Sequence, residues 1–204
     1  MEELIDAFKD FFRAAASADG DLAVTARFAR DSVPWTEPLG RHEPASNPVV
    51  GAWLARACAS AGEAGSATRP IADALLENTD RLHWRPRPPE AAPDLAAFAR
   101  NFTAVTVIGD SGILPSDKVK AGFSLQAPDT YYPPHAHRAE ESYWIIGGDG
   151  DWRVGAEPWF AVKPGDSIYH ASYARHAMQT NGQPLLCLWL WTSHLDSELL
   201  IVRG

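Results

Sequence analysis

The sequence predicts a mainly β protein, a sandwich or closed barrel of antiparallel strands, preceded by an α-helical part, and three observations point there. Composition changes near residue 100: residues 1–100 hold 23 alanines and 5 glycines, residues 101–204 hold 10 of each, and all five tyrosines lie in the second part. Alanine favours helix, whereas tyrosine favours strand. The first segment places apolar residues at three- and four-residue spacings, and the second part breaks into eight short strand-like segments separated by turn residues. The division is therefore residues 1–100, a helical region expected to pack on the barrel and cover one end, and residues 101–204, the barrel itself.

In the first part, Leu4, Ile5, Phe8, Phe11 and Phe12 mark one face of a helix from Glu2 to Ala16. Asp19 or Asp21 suits the N-cap of a helix over Leu22 to Ala29, because a short side-chain oxygen there can accept from an orphan backbone N–H. Pro34, Pro38, Pro44 and Pro48 make residues 31–48 a connector. Ser46 can cap a helix through Val49, Trp53, Leu54 and Cys58, ended by the Gly62 to Gly65 region. A further helix is expected over Pro70 to Asn78. After Pro86, Pro88, Pro89 and Pro93, a short one is expected near Asp94 to Arg100.

Strands are predicted at Ala104 to Ile108, Ala121 to Leu125, Tyr143 to Ile146, Asp151 to Val154, Trp159 to Val162, Asp166 to Tyr169, His176 to Thr180 and Leu185 to Thr192. Turns such as Gly147-Gly148-Asp149-Gly150, Pro164-Gly165 and Asn181-Gly182-Gln183-Pro184 separate them. Strands at this spacing suit a closed or two-sheet antiparallel architecture.

The formal charge of −8 comes without a basic patch, which argues against nucleic acid and anionic membranes as partners. The apolar run from Pro184 to Trp191 is far too short for a bilayer span. The acidic start Met1-Glu2-Glu3-Leu4-Ile5-Asp6 lacks the basic region of a secretory signal, so a cytoplasmic location is expected. Cys58 and Cys187 have no paired spacing and are expected to be buried thiols.

Chemistry concentrates between Tyr131 and Tyr143. His135, His137, Glu141 and Tyr143 share one parity, so on extended chain they can point into one cavity. Two imidazoles and a carboxylate can grip a divalent ion and leave positions open for water or substrate. His176, ten residues after Asp166 at the start of a later strand, is the candidate fourth ligand. The plainer alternative is a surface turn with solvated histidines. Against it, four of the seven histidines fall between 135 and 176, inside the glycine-punctuated β region.

His135-x-His137-x3-Glu141-x6-Gly148 resembles the first metal motif of the cupins, and Pro164-Gly165-Asp166 with His176 resembles the second. Two positions depart from the pattern: Asp129 stands where a glycine is usual, and Arg175 where a proline often precedes the last histidine. Within the cupins, Tyr131-Tyr132-Pro133-Pro134-His135-x-His137-x2-Glu140-Glu141-x-Tyr143, Asp151-Trp152-Arg153, Tyr169-His170-x-Ser172 and His176-Ala177-Met178 are similar to the dimethylsulfoniopropionate (DMSP) lyases. The resemblance implies a cupin double-stranded β-helix, or jelly-roll barrel, with a helical N-terminal part. It also implies a metal-dependent β-elimination giving dimethyl sulfide and acrylate. His135, His137, Glu141 and His176 would be the ligands of one divalent transition metal (Fe, Zn, Mn, Co or Ni), and Tyr143 the base. Tyr132, next to the ligand segment, is a second candidate phenol, although its parity is opposite to that of His135.

That reaction makes sense of the residues. The proton lies beside a carboxylate, so the enolate-like charge needs a Lewis acid, and a phenol near a cation can serve as base at neutral pH. The leaving thioether is neutral and needs no acid. A sulfonium has no N–H to donate and is best held by aromatic faces, for which Tyr131, Trp189 and Trp191 are candidates; His170 is either at the pocket mouth with Tyr169 or a structural histidine bonded to backbone. Arg138, Arg153, Lys163 and Arg175 could meet a carboxylate. The expected partner is thus a small zwitterion, and the chain a monomer or homodimer. Two other readings use the same barrel: an oxygenase or isomerase acting on another small molecule, and a non-catalytic metal or ligand sensor.

Overall fold

The computed structural model describes residues 1–36, 39–40, 43–62, 66–85 and 95–202. Their helices are α1 (Glu2–Ala15), α2 (Asp21–Ser32), α3 (Pro48–Ala59), α4 (Thr68–Asn78) and α5 (Ala96–Asn101), with a 3-10 turn at Thr79–Arg81. Helix α1 buries Leu4, Ile5, Phe8, Phe11 and Phe12, the face its spacing foretells. Two caps differ from expectation. Gly20, not an aspartate, occupies the N-cap of α2. Asn47, not Ser46, caps α3, its side chain accepting from the Val49 N–H at 2.9 Å. Pro48 explains the shift: its fixed φ suits the first helical position, which leaves the preceding residue as the cap. The predicted break at Pro86 to Pro93 and the Asp94 start of the last helix lie outside the described residues, as do Pro38 and Gly65.

The strands are β1 (Phe102–Ile108), β2 (Lys120–Gln126), β3 (Tyr131–Ala136), β4 (Glu141–Gly148), β5 (Gly150–Val154), β6 (Phe160–Val162), β7 (Ser167–His170), β8 (His176–Gln179), β9 (Leu185–Trp191) and β10 (Leu200–Ile201). They form two five-stranded sheets, ordered β1-β2-β9-β4-β7 and β10-β3-β8-β5-β6, all pairs antiparallel. This is the cupin double-stranded β-helix with an N-terminal helical part.

Two clusters of buried side chains divide the core. One lies between the sheets and includes Tyr143, Ile145, Trp152, Met178, Cys187 and Trp189. The other joins α1–α4 to the opposite face of the first sheet, through residues such as Phe123, Trp144, Ile146, Leu186, Leu188 and Leu190. The helices thus cover a sheet face rather than an end of the barrel. Strands β4 and β9 are buried almost throughout because both their faces are covered, which is why their sequences run apolar instead of alternating. Both cysteines are buried, Cys187 on β9 and Cys58 on α3, and burial pushes the Cys58 thiol up to about 12.

Gly148, the glycine of the first motif, has φ +79°, and a Cβ there would collide with the Pro184 carbonyl oxygen. No other residue fits without moving β9. Asp129 has φ +52°, so its turn does need the left-handed conformation a glycine would supply. Aspartate tolerates it, and its Oδ1 accepts from the Gly182 N–H at 3.0 Å.

Candidate metal centre

Strand β3 is absent from the strands predicted, and it positions much of the site. Its two prolines cannot donate to a ladder, and the pairing with β8 slips across them: Tyr132 faces Met178, and His135 faces His176. Pro133 and Pro134 together therefore oppose Ala177 alone, a bulge that returns Tyr132 and His135 to one face despite opposite parity. Their rings stack at 3.9 Å, 8° from parallel. The turn after β3 carries His137 and is held by two serines, Ser197 Oγ accepting from Ala139 N at 3.0 Å and Ser193 Oγ from Glu140 N at 3.1 Å. Glu141 and Tyr143 then face inward from β4.

Each of the three histidines donates its Nδ1–H to a carbonyl two residues away: His135 to Pro133 at 2.9 Å, His137 to Ala139 at 3.0 Å, and His176 to Ala174 at 2.9 Å. A carbonyl can only accept, so the hydrogen sits on Nδ1 and Nε2 is the atom turned to the site. The nearest ligand atoms of His137, Glu141 and His176 lie within 4.8 Å of one another, a cluster that could hold a metal ion. His135 adjoins it, with its ring 4.0 Å from that of His176, but is not part of that three-atom cluster.

Glu141 Oε2 is 2.9 Å from His137 Nε2 and 3.4 Å from His176 Nε2, and Oε1 accepts from the Trp191 indole N–H at 2.8 Å. Burial alone would raise this carboxyl. The two imidazoles outweigh burial and hold it well below the usual carboxylate range. His137 is raised in turn, since Glu141 overcomes the effect of its burial. Burial and the neighbouring His176 keep His135 neutral. His176 Nε2 is buried and, 3.4 Å from Glu141 Oε2, makes no well-formed hydrogen bond, which leaves it poorly satisfied in a place where that is costly. A poorly satisfied imidazole nitrogen beside a deprotonated carboxylate and a second imidazole is a donor set that fits a mid-row divalent cation.

A cavity of about 270 Å³ opens on this cluster, lined by His137, Glu141, Tyr132, Tyr143, Trp189 and Trp191 among others. Burial, then the Glu141 charge, pushes the Tyr143 phenol well above its ordinary value, and the same two causes raise Tyr132, with Arg85 acting in the opposite sense. Trp191 has a role its sequence position did not suggest, since its indole orients Glu141. Two substrate candidates are not brought to the cavity. Tyr131 points away, half exposed beside Trp159. His170 lies behind the ligands, stacked on His176 at 4.0 Å with its Nε2 accepting from the Trp152 indole N–H at 3.2 Å.

The cations are also redistributed. Arg138, Arg153, Lys163 and Arg175 do not line this cavity; Arg153 lies over Trp159, and it shares a separate surface pocket with Arg175. Arg85 and Lys120 line it instead. Lys120 was legible in principle, because it has the parity of the inward positions Gly122 and Ser124. Arg85 stands ahead of a proline-rich stretch and carries no such signal.

The family model for DMSP lyase matches residues 24–187, and the chain belongs to that family. The DMSP lyase DddQ of Ruegeria pomeroyi is 33% identical over 102 residues, 50% of this chain and 51% of that protein. The putative DMSP lyase DddL of Cereibacter sphaeroides is 31% identical over 160 residues, 76% of this chain and 64% of that protein. The chain thus matches about half the length of the first relative and 64% of the second. The crystal structure of Ruegeria pomeroyi DddQ superposes with a TM-score of 0.76 at 24% identity, covering 97% of this chain and 96% of that one. A chain from the crystal structures of the DMSP lyases RdDddP and RnDddQII gives 0.74 at 22% identity, covering 98% of each. Both share the fold, helical part included.

Proposed function

We propose that this chain is a metal-dependent DMSP lyase, cleaving its substrate by β-elimination to dimethyl sulfide and acrylate. The observation that carries the reading is the convergence of His137, Glu141 and His176 with the Tyr143 phenol on one small aromatic cavity, in a member of the DMSP lyase family. His137, Glu141 and His176, with His135 adjoining, are the residues that would hold the ion. A bound divalent cation would supply Lewis acidity for the enolate-like charge and would draw down a phenol that burial otherwise keeps protonated.

The chain's own groups account for the remaining steps. Tyr143 removes the proton next to the substrate carboxylate, the new electron pair forms the carbon–carbon double bond, and the carbon–sulfur bond breaks to release neutral dimethyl sulfide. Tyr132, stacked on His135 across the cavity, is the second phenol within it. Trp189 and Trp191 offer faces to the sulfonium. The walls keep bulk water from competing for the base.

Headspace dimethyl sulfide, measured from purified protein supplied in turn with Fe, Zn, Mn, Co and Ni and with DMSP, tests the reading. Dimethyl sulfide and acrylate in equal amounts from wild type, and loss of both in His176→Ala, are the expected results. No release with any of the five metals would overturn it.

A further inference from the structure

The two cations lining the cavity are not equivalent. Lys120, opposite Trp191 on β2, has its ammonium 3.2 Å from the Asp110 carboxylate, so its charge is already answered. Arg85 has no ion-pair partner among the described residues. Its backbone, by contrast, is held on three sides. The Arg85 N–H donates to the Ala104 carbonyl at 2.8 Å, and its carbonyl accepts from Asn47 Nδ2 at 2.8 Å and from Thr103 Oγ1 at 3.0 Å. Asn47 is buried and simultaneously caps α3, while Ala104 and Thr103 belong to β1.

An exposed residue outside helix and strand is ordinarily mobile. Here a helix cap and a strand fix its Cα beside the cavity, and the guanidinium is presented from a rigid base. A forked, always-charged donor with no carboxylate partner among the described residues suits an oxyanion with two oxygens. The protein's overall charge of −8 repels anions, so a local cation is what lets one enter. The same cation repels a sulfonium and leaves Trp189 and Trp191 as the favourable side for it.

We infer that Arg85 is the carboxylate-recognising residue of this cavity, a specificity determinant that selects small carboxylates and fixes which end of a zwitterion faces the aromatic side. The inference rests on the lyase reading for its substrate, and its test is separate from turnover. All three contacts that hold Arg85 use its backbone, so changing the side chain leaves them intact.

Calorimetric titration of the full-length, metal-loaded protein with acrylate and with trimethylsulfonium would compare wild type, Arg85→Gln and Arg85→Lys at matched metal content. Arg85→Gln should bind acrylate roughly 10–100-fold more weakly, Arg85→Lys should fall between, and trimethylsulfonium affinity should not drop in either. For DMSP, KM should rise more than kcat falls. Equal acrylate affinity in all three proteins, equal loss of both probes, or no acrylate binding by wild type would overturn the inference. Dimethyl sulfide release by the same wild-type preparation judges the lyase reading independently. Turnover with Arg85-independent acrylate binding would sink the inference alone, and Arg85-dependent binding without turnover would sink the lyase reading alone.

Discussion

Glu141 shows what single residues do here. Its charge is kept in a buried place by His137 and His176, and its orientation by the Trp191 indole. Its folded pKa is depressed below the ordinary 4.5, so in the metal-free protein its contribution to stability is present above that value and lost as pH falls through the folded value. His137 has the opposite sign: raised above 6.5, it stabilises fully below that value and loses its contribution as pH rises through its folded pKa. The pair therefore contributes most between about pH 4.5 and 6.5. Thermal melts of metal-free protein should show Glu141→Gln flattening the acid-side decline, and an unchanged profile would contradict the pairing. Trp191→Phe keeps the ring and removes the N–H, and metal titration should show affinity lower by about 10–100-fold. Much of this was readable from sequence: the shared parity of Glu141 and Tyr143 does put both on the cavity side of β4. What parity could not give was Tyr132, because the bulge at Pro133 and Pro134 changes the count by one.

At the level of elements, apolar spacing was sufficient where a segment has one buried face, as in α1. It was insufficient for β3, where two prolines hide a strand whose ladder simply skips them. Boundaries followed local chemistry: Pro48 moved the cap of α3 to Asn47. That residue bonds both the helix and the Arg85 carbonyl, so Asn47→Ala should cost about 1–2 kcal/mol. A urea midpoint unchanged from wild type would show that neither bond matters to folding. Sequence left His170 open between the pocket mouth and a structural role; register sets it opposite Glu141, behind the cavity and bonded to the Trp152 indole.

The whole molecule joins helices and barrel through one sheet that is buried on both sides. Removing residues 1–100 would uncover Phe123, Trp144, Leu186, Leu188 and Leu190 together, a patch of the kind that drives aggregation. The fragment 101–204 should be insoluble, and a soluble, metal-loaded fragment would show that the barrel stands alone. Composition foretold two unlike halves; it could not foretell that the helices lie on a sheet face, since that depends on which side of β4 and β9 they cover. The same sheet places Glu141 and Tyr143 on its inner side, where Tyr143 has the proposed role of base. Tyr143→Phe preserves ring and packing, so loss of the hydroxyl should cost stability only about 0.5–1.5 kcal/mol. The decisive measurement is acrylate release against pH by wild type and Tyr143→Phe at matched metal occupancy. For a Tyr143 base, the wild-type rate rises with pH as the phenol ionises and the variant is slower by roughly 10²–10⁴-fold; wild-type turnover in the variant would remove Tyr143 from the reaction.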